Sequence, residues 1–454
     1  MAIRSADEHE RSPASPLGST SSKLPATGGQ LSEAEFATLR KVALRVLPLL
    51  LLSYIANLLD RTNVGFAKLS MQADLGMSDS AYAFGAGIFY FGYLAFEVPS
   101  NLILRRLGAR LWIARIMVTW GLVSCATMFV VGKWSFVGVR ILLGVAEAGF
   151  FPGVILYLTY WFPLRQRTRA VACFMAANAV GGMLTNPLSG LITQQLDGSL
   201  GLHGWQWIFV LESVPSLVLG ACIYFWLTDR PSDAHWLCKD ERAWLVELMG
   251  REEEERTRRH GSDLWRAMAS GRVWYLILLY FTVAFCSNAG GLYLPELIQN
   301  HFPDSNRIQI GLLAAVPNLC GTVAMLVNGW WADRTRNYGR HVGLAALLGA
   351  AGWLVTALAD TPPWALAGLS LAVMGAMSML PPFWSLPTSF LSGAAAAGGI
   401  ALINSVGNIG GLLGPWTLGL VRDQTGNHLC GLFGLAGMLA LGAALALVAP
   451  HERR

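Results

Sequence analysis

Apolar stretches of about twenty residues recur along this chain, each long enough to cross the roughly 30 Å hydrocarbon core of a bilayer as an α-helix. An α-helix satisfies its own backbone hydrogen bonds, which a bilayer requires. The pattern therefore predicts an all-α membrane protein. The twelve predicted spanning helices lie near residues 42–65, 81–104, 111–131, 134–161, 170–192, 207–228, 273–297, 308–331, 342–360, 363–387, 399–421 and 428–448.

Polar segments divide the 454 residues into four parts. Residues 1–40 are rich in Ser, Pro, Gly and charge without periodicity, which predicts a disordered cytoplasmic tail. The longest internal polar segment, 229–272, separates six predicted helices in 41–228 from six in 273–450. Within this cytoplasmic linker, residues 239–249 alternate charged and apolar positions and are predicted to form an amphipathic helix on the membrane surface.

The two predicted halves carry related segments. Residues 97–110 close the second predicted helix and 328–341 close the eighth. Each combines a small-residue helix end, basic residues, and then Gly and Arg. Two related six-helix halves are a common architecture of secondary transporters, so the sequence predicts two pseudo-symmetric bundles.

Composition excludes several other classes of protein. The chain is 54% hydrophobic and 13% charged, against roughly 25% charged residues in soluble domains. Its seven cysteines are isolated, which argues against disulfides and zinc. The sequence lacks a Walker-type phosphate-binding motif, a nucleophile–base grouping and metal spacing. We therefore predict no enzyme, no cofactor and no nucleic-acid partner.

Charge along the connections predicts the orientation in the membrane. With the N-terminus inside, Lys and Arg fall overwhelmingly in the connections on the inner side. Basic residues concentrate on the cytoplasmic side of membrane proteins. Both termini are therefore predicted to be cytoplasmic, in a multi-pass protein of the bacterial inner membrane.

Four charged residues lie inside predicted helices: Asp60, Arg61, Arg140 and Glu147. Such a residue costs about 2.5–3.5 kcal/mol near the bilayer centre, so it usually faces a cavity and serves a pathway. Arg140 and Glu147 are seven residues apart, which places both on one helix face about 10 Å apart. The alternatives are a snorkelling helix end for Asp60–Arg61 and a buried packing pair for Arg140–Glu147.

These residue types suit the binding of an anion together with protons. A guanidinium group stays charged when desolvated and binds a carboxylate through two hydrogen bonds. An apolar cavity favours the protonated form of a carboxyl group. We therefore expect the two arginines to hold an organic anion and the two acids to carry protons.

A second charged motif lies at the end of the eighth predicted helix. Gly329 and Ala332 allow close helix contact, and Asp333, Arg334 and Arg340 follow. An Asp here can cap a helix terminus or pair with an Arg across the loop. We predict a charge clasp that holds one conformation of two rocking halves. The alternative is a loop whose basic residues serve membrane topology alone.

These segments together resemble the major facilitator superfamily and, within it, the anion:cation symporter family, which carries tartrate, sugar acids and phthalate-type acids. The resemblance covers about residues 40–450 and rests on residues 59–67, 92–101, 108–115 and 140–152 and the loop at 329–340. One departure is Leu104-Arg105, where the superfamily carries Asp-Arg. A clasp in the first half then needs another acid, and Glu97 is a candidate.

The resemblance implies roles for individual residues. Asp60 is implied in proton coupling and Arg61 in substrate recognition, both inside a central cavity. The implied substrate contacts are Tyr93, Asn178, Trp384 and Asn404. By contrast, Glu212 and Glu296, close to prolines and helix ends, are interpreted as structural.

The sequence predicts a monomeric secondary transporter that imports a small organic anion, tartrate-like or a sugar acid, with protons by alternating access. One alternative keeps the fold but makes it an anion exchanger or a facilitated carrier without proton coupling. A more remote alternative is a transporter-like sensor that signals through 229–272. Each predicts binding of an organic acid, and they differ in flux and pH dependence.

Overall fold

The computed structural model describes residues 32–259, 270–390 and 393–448, and this part of the chain is helical, without strands. Predicted positions outside these ranges, including residues 1–31 of the tail, lie outside the described residues. The α-helices are α1 (Glu33–Asp74), α2 (Asp79–Gly87), α3 (Phe89–Leu107), α4 (Ala109–Ala126), α5 (Lys133–Glu147), α6 (Phe150–Trp161), α7 (Leu164–Met175), α8 (Ala177–Leu196), α9 (Gly204–Trp226), α10 (Lys239–Arg259), α11 (Gly271–His301), α12 (Arg307–Thr335), α13 (Tyr338–Ala357), α14 (Pro362–Phe390), α15 (Gly393–Gly407), α16 (Ile409–Thr425) and α17 (Leu429–Val448).

The predicted fold class is confirmed. Within the described ranges, eleven helices or helix pairs are long and apolar enough to cross a membrane. The remaining predicted span, 399–421, corresponds to α15 and α16, which meet at Asn408. The chain thus forms twelve spanning segments in two halves of six, with α1–α9 in the first half and α11–α17 in the second.

The first helix is longer than its apolar stretch. α1 has 42 residues and begins at Glu33, inside the segment predicted as a tail. Its start is fixed by Ser32 and Glu35, whose side chains each accept a hydrogen bond from the other residue's backbone N–H, at 3.3 and 2.7 Å. Such a capping box satisfies donors that the first helical turn leaves open. α1 then continues through Asp60 and Arg61 without a break, so both residues lie inside the helix.

The fourth span is interrupted at a point that matters for the site. α5 ends at Glu147 and α6 begins at Phe150, because Gly149 adopts a left-handed conformation with φ of 89°. A Cβ at Gly149 would lie 2.4 Å from Ser100 Oγ. Glycine alone meets both requirements at low cost. The break places Glu147 at the end of a helix in the middle of the membrane span.

Apolar packing joins the two halves at one end of the molecule. One buried cluster combines first-half residues such as Phe66, Tyr82 and Trp205 with the second-half core. The other cluster contains first-half and linker residues alone, among the described part of the chain. The joined end, where α1 ends and α2 begins, is named the latch end because ion pairs also bridge the two halves there. The opposite end, which carries α10 and the α12–α13 turn, is the linker end.

The linker helix α10 has a protein partner. Its Leu245 is fully buried in the first-half cluster. The Trp244 indole donates to Glu35 Oε1 at 2.8 Å, and Lys41 forms an ion pair with Glu241. The amphipathic pattern of 239–249 is thus satisfied by packing on the first bundle, while contact with the membrane surface stays a prediction.

Candidate functional site

The centre of the site is an ion pair between two helices of the first half. Arg61 Nη2 of α1 bonds to Glu147 Oε1, with the Glu147 side chain 3% exposed. The Arg61 guanidinium lies over the rings of Phe89 and Tyr93, at 5.2 and 5.4 Å. An aromatic face stabilises a cation at such distances. Arg61 Nε has no hydrogen-bond partner among the described residues.

Arg140 lies next to the same Phe89 ring. Its guanidinium is 5.1 Å from the Phe89 centroid, and its residue is 3% exposed. Nη2 donates to the Ala86 carbonyl at 3.1 Å, whereas Nε and Nη1 have no hydrogen-bond partner among the described residues. Buried donors are normally satisfied. Two guanidinium groups with open donors beside one ring can donate several hydrogen bonds to one anion.

The structure pairs the four charges differently from the sequence interpretation. Arg140 and Glu147 share α5 as predicted, but Glu147 pairs with Arg61 of α1. Asp60 does not accompany its neighbour Arg61. Consecutive residues on a helix point about 100° apart, so the two side chains of this dipeptide serve different surroundings.

Asp60 lies inside the first half, with 2% exposure. Its Oδ2 accepts hydrogen bonds from Trp120 Nε1 at 2.9 Å and Ser216 Oγ at 2.6 Å, and Oδ1 accepts one from Ser124 Oγ at 2.7 Å. These donors come from α4 and α9. The carboxyl group is therefore held among neutral polar side chains, with no cation in contact among the described residues.

The predicted substrate contacts lie in both halves, and Tyr93 is in contact with Arg61. Tyr93 is packed against Phe89 with ring centroids 5.9 Å apart. Asn178 lies beside Tyr54 of α1. In the second half, Tyr280 stands between Trp384, 5.0 Å away by ring centroids, and Asn404 Oδ1, 3.4 Å from its hydroxyl.

Two hydrogen bonds cross from one half to the other near these residues. Tyr90 donates its hydroxyl to Asn288 Oδ1, and Ser405 Oγ donates to Glu97 Oε2 at 3.1 Å. Glu97, considered as an acid for a first-half clasp, thus contacts the second half through a hydroxyl group. In this region the first half contributes charged side chains, and the second half contributes neutral polar and aromatic ones.

The structure does not bring the predicted clasp residues together. Asp333, Arg334 and Arg340 are all exposed, and no ion pair among them is found in the described part of the chain. Arg334 lies over the Trp330 ring at 5.6 Å. The cap of α13 is Asn337, whose side chain accepts from Arg340 N at 3.4 Å. In this conformation the loop forms no clasp within itself, so its role stays a prediction for another state.

Charged residues do join the two halves, but at the latch end. Lys68 Nζ lies 2.7 Å from Asp79 Oδ1 and also bonds to Glu296. Arg422 Nη1 lies 2.8 Å from the same Asp79 oxygen and also bonds to Glu296. Lys68 and Asp79 belong to the first half, Glu296 and Arg422 to the second. Each cation therefore bridges both acids, and we name this set of four residues the charge latch.

The charge latch is reinforced by its surroundings. Asp423 accepts hydrogen bonds from the backbone N–H groups of Asp79 and Ser80, both at 3.0 Å, at the start of α2. The Lys68 ammonium lies 4.1 Å from the Tyr293 ring, and its side chain is 1% exposed. A cavity of about 540 Å³ lies next to the charge latch and is lined in part by Lys68 and Glu296. Sequence reasoning missed this set, because charges at helix ends suit an interface with water equally well.

The comparisons with known proteins agree with this architecture. The family model for the Major Facilitator Superfamily matches residues 50–415. A protein of Agrobacterium vitis described as a "Putative tartrate transporter" is 45% identical over 417 residues, which cover 92% of this chain and 95% of that protein. The quinolone resistance transporter of Acinetobacter baumannii is 40% identical over 411 residues, 90% of this chain and 94% of that protein.

Solved structures show the same fold. A bacterial homologue of the human lysosomal transporter Spinster, crystallised in an inward-facing and occupied conformation, has a TM-score of 0.73 at 15% identity, covering 90% of this chain and 97% of that one. This likeness concerns the fold alone. The family model spans most of the chain, and the two relatives match it nearly end to end. The chain therefore belongs to the major facilitator superfamily and is a transport protein rather than an enzyme.

Proposed function

We propose that the protein is a secondary transporter that imports a small organic anion in symport with protons by alternating access. The observation that carries the proposal is the pair of arginines next to the Phe89 ring, with buried donors that have no partner among the described residues. A carboxylate accepts two such hydrogen bonds in parallel. The name of the Agrobacterium vitis relative supports tartrate or a related hydroxy acid as the anion.

The Arg61–Glu147 ion pair gives a physical basis for coupling. While Glu147 is ionised, it occupies Arg61 and competes with the carboxylate of a substrate. Protonation of Glu147 removes that competitor and leaves Arg61 free for the anion. With both acids protonated, the two arginines give the site a charge of +2, and a dicarboxylate such as tartrate neutralises it, which lowers the cost of closing the site.

The charge latch supports alternating access. The conformation described here is joined at the latch end, and the residues of the predicted clasp are exposed at the linker end. With both termini cytoplasmic in a bacterial inner membrane, this conformation opens toward the cytoplasm. Rocking of the two halves about the central site would then break the latch and bring the clasp residues together.

The experiment is uptake of radiolabelled L-tartrate by proteoliposomes, with and without an inward proton gradient. We expect the gradient to drive accumulation in the wild type. Glu147→Gln, which keeps the shape but cannot lose a proton, should abolish accumulation and keep tartrate counterflow. Glu247→Gln, on the exposed side of α10, is the matched control and should behave as the wild type. Accumulation that persists in Glu147→Gln would contradict the assigned role of Glu147.

The alternative is an anion exchanger or facilitated carrier. Counterflow that is independent of pH, with no accumulation under a gradient, would favour it over symport. A thermal-shift screen of the purified protein against tartrate, sugar acids, phthalate and a quinolone tests the substrate class, since a bound ligand raises apparent stability. Stabilisation by the quinolone and by none of the acids would contradict the organic-anion assignment.

A further inference from the structure

Glu212 is a buried acid that the transport cycle described above does not use. It lies on α9 with 1% exposure, and its Oε1 accepts a hydrogen bond of 2.6 Å from Ser189 Oγ of α8. Its Oε2 has no hydrogen-bond partner, and no Lys, Arg or His contacts it, among the described residues. Burying a carboxylate without a cation is costly. Neutral neighbours supply no compensating charge, which favours the protonated form of this carboxyl group.

A second buried polar group faces this acid without satisfying it. Asn63 of α1 has 0% exposure and lies beside the Glu212 carboxyl group. Neither its Nδ2 nor its Oδ1 has a hydrogen-bond partner among the described residues. Buried amides are almost always paired. The Asn63 amide and Glu212 Oε2 are therefore neighbouring buried polar groups without a well-formed hydrogen bond, and the neutral amide leaves the charge of an ionised Glu212 uncompensated.

These buried polar groups connect to Asp60. Asp60 and Asn63 are three residues apart on α1, and Ser216 and Glu212 are four apart on α9, so each pair shares a helix face. Ser216 joins the two helices through its 2.6 Å hydrogen bond to Asp60. The other facing groups, Trp120 and Ser124 of α4 and Ser189 of α8, are neutral.

Asp60 and Glu212 thus lie in one buried polar region between α1 and α9, with no cation in contact with either in the described part of the chain. Two such acids do not ionise together at low cost, and their titrations are coupled. We propose that Glu212 is a third proton-carrying residue of the transporter, which shares protons with Asp60 inside the first half, behind the substrate site. This inference rests on the proposed symport.

In this scheme a proton from water forms an O–H bond at Glu212 Oε2 when one side of the bundle is open. The bond breaks, and the proton returns to water, when the other side opens. The anion does not touch this path, because Arg61 and Glu147 lie on a different face of the first half. The acid pair therefore adds to the proton count of the cycle without contributing to recognition of the anion.

The first test needs no substrate. Infrared titration of the purified wild type records the carbonyl stretch of protonated carboxylic acids as the pH is varied. We expect one titrating component to be missing from Glu212→Gln and retained in Ser213→Ala. Ser213 is the matched control, since it is buried on the same helix and its hydroxyl donates to the backbone carbonyl of Val210. Identical titrations of wild type and Glu212→Gln would overturn the proposal.

The second test measures the proton to tartrate ratio in proteoliposomes from the reversal potential. We expect Glu212→Gln to lower the ratio by one proton while tartrate counterflow continues. If the wild type is coupled to protons and Glu212→Gln has the same ratio, this inference alone is overturned. If the wild type shows no coupling at all, the proposed symport fails, while the infrared titration still decides whether Glu212 takes up a proton.

Ser189→Ala keeps the experiment decisive if Glu212→Gln does not fold. This variant retains the carboxyl group and removes its single hydrogen-bond donor. We expect the pH midpoint of the infrared component to shift, because the donor stabilises one protonation state over the other. A midpoint that stays at the wild-type value would count against Glu212 as the titrating group.

Discussion

At the scale of single residues, neighbours in sequence have separate surroundings because they point in different directions. Arg61 faces Glu147 and the aromatic rings of the cavity, whereas Asp60 faces three neutral donors inside the bundle. One residue of shift along the helix rotates a side chain by about 100°. A carboxyl group beside Arg61 would neutralise it permanently, whereas Glu147 on another helix can approach or leave as the helices move.

The two open donors of Arg140 lead to a prediction about affinity. Arg140→Lys keeps the charge and removes the planar fork that binds a carboxylate through two hydrogen bonds. A hydrogen bond to a charged group contributes about 1.5–3 kcal/mol, so the Michaelis constant for L-tartrate should rise roughly tenfold or more. Initial uptake rates over a concentration series measure it.

The control for this substitution is Arg115→Lys. Arg115 is half-buried on α4 and lies over the Trp112 ring at 3.8 Å rather than over Phe89. Its replacement should leave the Michaelis constant unchanged. An equal rise in both variants would assign the effect to general loss of packing and would contradict the anion-binding role of Arg140.

The sequence located the buried charged residues better than their partners. A charged side chain within an apolar stretch is visible in the sequence, because the bilayer penalises it wherever it points. Its partner depends on the rotation and tilt of separate helices, which the pattern of one chain does not contain. Thus Arg140 and Glu147 were correctly placed on one helix, while the pair that forms is Arg61 with Glu147.

At the scale of elements, hydropathy predicts spans but not their breaks. The stretch 134–161 was predicted as one helix and is two, α5 and α6, because Gly149 reverses the local backbone. α1 extends beyond its apolar stretch at both ends, because a capping box begins it at Glu33 and polar residues continue it to Asp74. The thickness of the bilayer determines only how long the apolar part of a helix must be. Capping and backbone geometry determine where the helix begins and ends.

The attachment of α10 to the first half depends mainly on apolar packing. Leu245→Ala should lower the free energy of unfolding by about 2–5 kcal/mol, the usual cost of truncating a buried leucine. Lys41→Ala removes an ion pair with an exposed lysine, and exposed pairs contribute little. Thermal unfolding in detergent should therefore show a clear loss for the first variant and almost none for the second. Equal losses would contradict this ranking.

The same ion pair has a defined pH dependence. The hydrogen bond from Lys41 holds the pKa of Glu241 below its usual value. A lowered pKa in the folded state means that the stabilisation is present above the unfolded-state pKa and is lost as the pH falls through the folded-state value. Any difference in melting temperature between wild type and Lys41→Ala should thus disappear in acid. A difference that grows as the pH falls would contradict this assignment.

Packing of α2 against α16 closes the latch end through a glycine. A Cβ at Gly419 would lie 2.7 Å from the Cα of Ser80, so any larger side chain forces the two helices apart. We expect Gly419→Leu to open the latch end and to increase maleimide labelling of a cysteine at Gln72, which lines the adjacent cavity, in a background without native cysteines. Gly434→Leu, where no atom lies within 4 Å of the Cβ position, is the control. Equal labelling of both variants would contradict this packing role.

At the scale of the whole molecule, the two ends differ in how the halves meet. The latch end combines a shared apolar core with four charged residues that bridge the halves. At the linker end, the first-half core contains no second-half residue within the described ranges, and Asp333 and Arg340 are exposed. Alternating access requires interactions of this kind that form at one end and separate at the other.

Lys68 is the residue of the charge latch whose loss should change the conformation most. Removing one partner of a buried ion pair costs about 3–5 kcal/mol. This is close to the roughly 5.5 kcal/mol that inverts a 99:1 equilibrium between two conformations. Lys68→Met should therefore populate a conformation open at the latch end. Spin labels at Ala73 and Asp304, exposed residues of opposite halves, should show an added longer distance by pulsed electron resonance.

The reason for the opening distinguishes the charge latch from simple packing. In Lys68→Met, the carboxylates of Asp79 and Glu296 share one cation, Arg422, and repel each other. Adding Glu296→Gln removes one of these charges, so the double variant should return part of the population to the closed distance. Independent losses of packing would add instead. Lys133→Met, which removes an exposed lysine 5.1 Å from the Trp134 ring, should keep the wild-type distance. A double variant more open than Lys68→Met would show that Lys68 acts through its volume rather than its charge.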